Sequence, residues 1–221
     1  MSETSSIRKY NGISGASSVS FNPDTSKYTI QFDGKEIETT VTDQATIVDQ
    51  WVQDINVLYS PNSSVIVALD IEWKPDTVQY SRCKSATLHL CIDDKCLMLQ
   101  LFHIDNLPPS LNNFLMNPNL FFVGFEVSKK ISKINDGYGL SCSGVRVDIK
   151  LLAMQKWLGQ CRFSDLKDLA KQLVGLSIKK PKLVSLSNWK VRVLSVEQVE
   201  YGCIVAYVSY KIGHKLLMMD D

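Results

Sequence analysis

Residues 64–73 read SVIVALDIEW, an apolar run of strand length that ends on two carboxylates, Asp70 and Glu72. Side chains alternate along a strand, so residues two apart leave it on one face. A D-x-E pair closing a buried strand therefore concentrates negative charge at a sheet edge. Hard divalent cations such as Mg²⁺ or Mn²⁺ take carboxylate oxygens, and two such metal ions about 3.5–4 Å apart recur in phosphodiester hydrolysis. Taken alone, the spacing favours a plainer reading, a strand capped by solvated acids.

Upstream of this strand, YTIQF and EIETTVT flank Asp33-Gly34, a dipeptide suited to the positive φ of a tight turn, which predicts an antiparallel hairpin over 27–42. Residues 1–26 are rich in Ser, Thr, Gly and Asn with little apolar periodicity, and a mobile arm is expected there. ATIVDQWVQDINVL, 45–58, places Ile47, Val48, Trp51, Ile55 and Leu58 near helical spacing behind Thr42-Asp43. Downstream, ATLHLCI and CLMLQLF are joined by Asp93-Asp94-Lys95, so the strand ending at Asp70 opens a three-strand meander. A short helix is expected at 110–117, a buried strand at 120–124, a helix at 128–136 and a strand at 145–148. Helices follow at 149–158 and 164–174. Ser195 and Gln198 have capping-box spacing and start a last helix over 196–217, in which Tyr201 and Val205 share a face. Trp73 is expected in the core.

The chain has 221 residues, 45% of them hydrophobic, enough for one well-buried domain spanning 27–221. No apolar run approaches the roughly 20 residues of a membrane span, and the N-terminus lacks a signal peptide's apolar core. An intracellular protein is expected, in the nucleus, the cytoplasm or both. Cys83, Cys91, Cys96, Cys142, Cys161 and Cys203 show no C-x-x-C spacing, which argues against zinc and against a disulfide framework. His89, His103 and His214 form no ligand cluster and read as structural. There is no P-loop or dinucleotide fingerprint, hence no small-molecule cofactor.

A formal net charge of +1 supplies no global field for polyanions, so any nucleic-acid contact must be local. The candidate is the basic stretch of Lys179, Lys180 and Lys182, followed by Lys190 and Arg192 around Trp189. Trp189 itself reads more readily as core.

From about Tyr28 to Leu217 the chain resembles plant proteins of the Werner-syndrome-like 3′-to-5′ exonuclease family, within the DnaQ-like DEDDy superfamily. The segments that carry the resemblance are YTIQFDGKEIETTVTD, VIVALDIEWKP, ATLHLCIDDKCLMLQLFHID, NPNLFFVGFEVSKKISKINDGYGL, VDIKLLA, FSDLKDLAKQLVG, KKPKLVSLSNW and LSVEQVEYGCIVAYVSYKIGHKLL, in family order. The resemblance implies a ribonuclease H-like α/β fold: a mixed sheet with an antiparallel three-strand meander, helices on both faces, and an added N-terminal hairpin. It further implies two ions, Mg²⁺ or Mn²⁺, held by four acidic residues. Asp70 and Glu72 match the first motif, and Tyr201, which orients the attacking water in active relatives, matches the third. The other two ligand positions are occupied by Lys130 and Val205.

Four family carboxylates give −4, whereas Asp70, Glu72, Lys130 and Val205 give −1. One unit-charge pair at about 4 Å and an effective dielectric of about 20 is worth roughly 4 kcal/mol, and 1.4 kcal/mol is about tenfold in affinity. The substitutions thus oppose metal binding by about a thousandfold or more. Lys130 either serves as a built-in cation, its ammonium taking a metal's place between Asp70 and Glu72, or points into solvent. Glu126, Asp136 and Asp148 are the acids available as displaced ligands.

The leading expectation is a nucleic-acid-binding protein whose exonuclease-like cleft has lost most or all hydrolysis. The alternatives are an active metal-dependent 3′-to-5′ exonuclease with rearranged ligands, and a self-assembling or protein-interaction module, such as a homo-oligomer, with a vestigial cleft.

Overall fold

A computed structural model describes residues 8–11, 18–60, 63–73, 84–157, 165–179 and 181–218, with side chains from Ser18 onward. Its strands are β1 (Arg8–Asn11), β2 (Ser18–Asn22), β3 (Lys27–Phe32), β4 (Lys35–Thr42), β5 (Val65–Glu72), β6 (Thr87–Ile92), β7 (Lys95–Leu99), β8 (Leu120–Gly124) and β9 (Val145–Asp148). Among the described residues they form one nine-stranded sheet in the order β1-β2-β3-β4-β7-β6-β5-β8-β9. The meander β5-β6-β7 is antiparallel, as its sequence indicates, while β8 and β9 continue the sheet in parallel from β5. This is the expected mixed sheet.

The hairpin β3–β4 turns at Asp33 and Gly34, with φ of 51° and 72°, and β4 joins the meander by parallel pairing with β7. The sheet starts earlier than residue 27, however. The expected arm over 1–26 contains β1 and β2, and β2 pairs antiparallel with β3 from Ser18↔Gln31 to Asn22↔Lys27. The hairpin is therefore half of a four-strand ribbon. A polar sequence concealed this, because β2 buries Val19 and sets Phe21 against Tyr28 at 4.7 Å only once β3 is in place. Residues 1–7 and 12–17 of the arm lie outside the described residues.

Helices cover both faces. On one side, α1 (Ala45–Leu58), α2 (Pro109–Leu115) and α3 (Val127–Tyr138) pack on Val67, Leu69, Ile71, Leu88, Leu90, Leu97 and Phe122. On the other lie α4 (Ile149–Lys156), α5 (Leu166–Leu169), which continues as a π-turn over Ala170–Val174, and α7 (Val196–Met218). The short α6 (Lys182–Ser185) was not expected from sequence. Thr42 Oγ1 accepts from the Gln44 N–H at 3.0 Å, so α1 opens without a side-chain cap at its own N-cap.

α7 is the spine of the second layer, with 15 of its 23 residues buried. Its capping box forms as the spacing indicates: Ser195 N–H donates to Gln198 Oε1 at 2.9 Å, and Gln198 N–H to Ser195 Oγ at 3.3 Å. The helix lies against the sheet so closely that a Cβ on Gly202 would stand 2.6 Å from His89 Cε1, and one on Gly213 would stand 2.6 Å from Val123 Cγ2. This close approach sets Tyr201 above the end of β5.

Candidate active site

β5 delivers Asp70 and Glu72 to the α7 side of the sheet, because its odd-numbered neighbours Leu69 and Ile71 face the aliphatic core. Asp70 is 4% exposed and Glu72 half-buried. They line a cleft of about 340 Å³ together with Trp73, Phe125, Glu126, Lys130, Asp165, Lys167, Lys179, Tyr201 and Val205. All five residues that motif matching placed at the family site, Asp70, Glu72, Lys130, Tyr201 and Val205, thus face one cavity.

Lys130 comes from the opposite layer. It sits in the first turn of α3, where Lys129 precedes it and no acidic residue is present. Two cations at the positive end of a helix are unfavourable, and each has an anionic partner. Glu126 accepts from Lys129 Nζ at 2.5 Å, and Asp70 Oδ1 accepts from Lys130 Nζ. Of the two placements that sequence left open for Lys130, the inward one is observed. Its side chain is 18% exposed and that of Asp70 5%, so the pair is largely shielded from water.

Tyr201 is buried beside the two acids. Burial, reinforced by the carboxylates of Glu72 and Asp70, raises its phenol far above the ordinary value, so it stays a neutral hydroxyl. Val205, one turn further along α7, presents an apolar, half-buried surface. His89 is the cross-strand partner of Asp70. Complete burial pushes its imidazole down to about 4, with Asp70 opposing and Lys130 adding to the shift. Its Nε2 meets Thr87 Oγ1 at 2.9 Å, a structural role as expected.

Sequence reading missed several lining residues. Asp165 accepts from Asp168 N–H at 3.0 Å as the N-cap of α5, and that D-x-x-D spacing was the available signal. Phe125, Lys167, Ile178 and Leu186 carried none. Trp73 is not simply core: it borders the cleft half-buried, with Lys133 Nζ 4.6 Å from its ring centroid. The basic stretch does not stay together. Lys179 lines the cleft, Lys182 opens α6 away from the lining, Lys190 sits beside Phe102, and Lys180 lies outside the described residues. Trp189 is fully buried, between His89 and Tyr201 at 5.8 and 6.2 Å.

As to displaced ligands, Asp148 caps α4 through Lys150 N–H and Leu151 N–H, and Asp136 is exposed; neither lines the cleft. Among the described residues no three His, Cys, Asp or Glu side chains gather so as to hold a metal ion. Two ions of this kind call for several oxygen donors. Asp70 is already engaged by an ammonium and Val205 offers no oxygen donor, while Glu126, which pairs with Lys129, and Asp165, which caps α5, are the further carboxylates on the lining.

Residues 45–219 match the family model described as 3′-5′ exonuclease. The chain belongs to the 3′-5′ exonuclease family. A 3′-5′ exonuclease of Arabidopsis thaliana is 30% identical over 80% of this chain and 62% of its own length. One from Drosophila persimilis is 26% identical over 76% of this chain and 47% of its own. The chain therefore spans about half to three-fifths of these relatives. Escherichia coli RNase D, an exoribonuclease involved in structured RNA processing, superposes with a TM-score of 0.66 at 16% identity, over 81% of this chain and 44% of that one. That likeness supports the ribonuclease H-like fold of this family member. No helix among the described residues is long and apolar enough to cross a membrane.

Proposed function

We propose that this chain holds nucleic-acid 3′ ends in the cleft and hydrolyses the terminal phosphodiester weakly or not at all, as a degenerate member of the plant Werner-like branch. The observation that carries this reading is the shielded ion pair between Lys130 and Asp70. Removing one partner of a buried pair costs about 3–5 kcal/mol. A Mg²⁺ or Mn²⁺ ion would have to displace Lys130 and then tolerate its charge nearby. The higher identity to the Arabidopsis relative, 30% against 26% for the fly protein, supports the placement in the plant branch.

In this reading Tyr201 donates from a neutral hydroxyl to the terminal phosphate or ribose, while Lys167 and Lys179 on the cleft wall attract phosphates. Trp73 and Phe125 give the base an apolar surface.

The test is a time course on single-stranded and 3′-recessed DNA and RNA in Mg²⁺ or Mn²⁺, alongside binding of the same strands in EDTA. The expected result is end binding without release of mononucleotides. Release that is abolished by Asp70→Ala would sink the proposal. It would favour a second reading, an active enzyme with a rearranged ligand set, for which Asp165 in the same cleft is the supporting observation; Asp165→Ala would then also abolish release.

A further inference from the structure

The loop between α6 and α7 is built with more care than the cleft requires. Gln100 Nε2, just past β7, donates to the carbonyls of Val191 and Arg192 at 3.1 and 3.2 Å. The His103 Nε2 lies 2.9 Å from the Lys190 carbonyl, and Arg192 pairs with Asp43 at 2.9 Å. These contacts hold three side chains on the surface. Phe102 is 47% exposed, Lys190 Nζ stands 5.1 Å from its ring centroid, and the Arg192 side chain is 69% exposed. An aromatic ring left half in water beside a lysine ammonium contributes little to packing the core.

Its location is informative. Ala86 N–H donates to the Glu72 carbonyl at 2.8 Å, and Phe102 N–H donates to the Ala86 carbonyl at 3.1 Å. Phe102 is thus two strand spacings, about 10 Å, from the end of β5. It lies at the same end of the sheet as the cleft. Trp189, next to Lys190, packs under Tyr201, so the loop is braced on the cleft itself.

We propose that Phe102 and Lys190, with Arg192 on the same loop, form an accessory platform for single-stranded nucleic acid, which takes a base and its phosphate upstream of the 3′ end seated in the cleft. The ring offers a face on which any base stacks, and the Lys190 ammonium beside it meets the backbone. Because the loop is already fixed by hydrogen bonds, little ordering is lost on binding. The platform serves the same strand as the end-binding cleft and so rests on that reading of it.

The full chain is titrated in EDTA with 5′-labelled oligothymidylates and oligouridylates, from a dinucleotide to about eight nucleotides, and with a circular strand lacking ends. Phe102→Ala is expected to weaken the longer strands about tenfold, with Phe102→Trp restoring them and the dinucleotide unaffected. Lys190→Ala is expected to lower the slope of log affinity against log salt by about 0.7. Equal affinity of wild type and Phe102→Ala for the longest strand would overturn the platform while end binding stands. Phe102-dependent binding of linear and circular strands alike would overturn its coupling to a 3′ end, and with it the reading of the cleft. Failure to bind any strand would overturn both.

Discussion

The two faces of the sheet are drawn from the same strands and carry different chemistry. Under α1–α3 the face is hydrocarbon throughout, with Val67, Leu69, Ile71, Leu88, Leu90, Leu97 and the aromatic ring of Phe122. Under α7 the alternate positions read Ala68, Asp70, Glu72, Thr87, His89, Cys91, Cys96 and Met98. Polar and reactive groups therefore lie on one side and close-packed hydrocarbon on the other. The period of two lets one side supply stability while the other carries the cleft chemistry, to which Lys130 reaches from the α1–α3 layer and Val205 from α7.

That division can be tested most severely on the chemical side. Lys130→Asp with Val205→Asp adds two carboxylates beside Asp70 and Glu72 in the cleft, and metal-dependent release of mononucleotides is expected to rise about a thousandfold over wild type. No gain in a folded double variant that binds Mn²⁺ would show that the difference reaches beyond these two ligands. On the aliphatic side, Phe122→Ala is expected to cost about 3–5 kcal/mol in urea unfolding while leaving strand binding of the folded fraction unchanged. A loss of binding equal to the loss of stability would break the separation of the faces.

His89 joins the two sides of the comparison, since it is wholly buried yet titratable. Its folded value of about 4 lies below the unfolded value of about 6.5, so the unfolded chain binds the extra proton between them. Its contribution is present in full above about pH 6.5 and is lost as the pH falls towards 4, amounting to about 3 kcal/mol. Urea midpoints taken across that range should fall with pH in the wild type, with a flatter profile in His89→Asn. The smallest effect belongs to Ser195→Ala, about 1 kcal/mol, through loss of the capping box that starts α7. A larger cost would mean that the cap also positions Tyr201.

Sequence legibility follows the same division. The meander, the helices other than α6 and the capping box were readable because each is written in local periodicity or spacing. Strand β2 was not, since SVSFN has little apolar signal and depends on distant pairing with β3. The π-turn over Ala170–Val174 is absent from the periodicity for a similar reason: it ends at Gly175, whose φ of 72° closes the helix, and the register shift before it leaves no mark on the apolar stripe. In the site, the residues read from motifs all reached the cleft. Asp165 and Phe125 arrived there through loop geometry, and the inward reach of Lys130 was one of two placements equally compatible with its position on α3.

The burial of α7 has a dynamic consequence. A helix with 15 of 23 residues buried and glycine contacts to the sheet near both ends has little opportunity to fray or unwind piecemeal. Its central amides should exchange with solvent only when the whole domain opens, and Tyr201 inherits that persistence. Any adjustment at the cleft therefore falls to segments other than α7 and the hydrogen-bonded 190–192 loop, with the helix as a fixed reference.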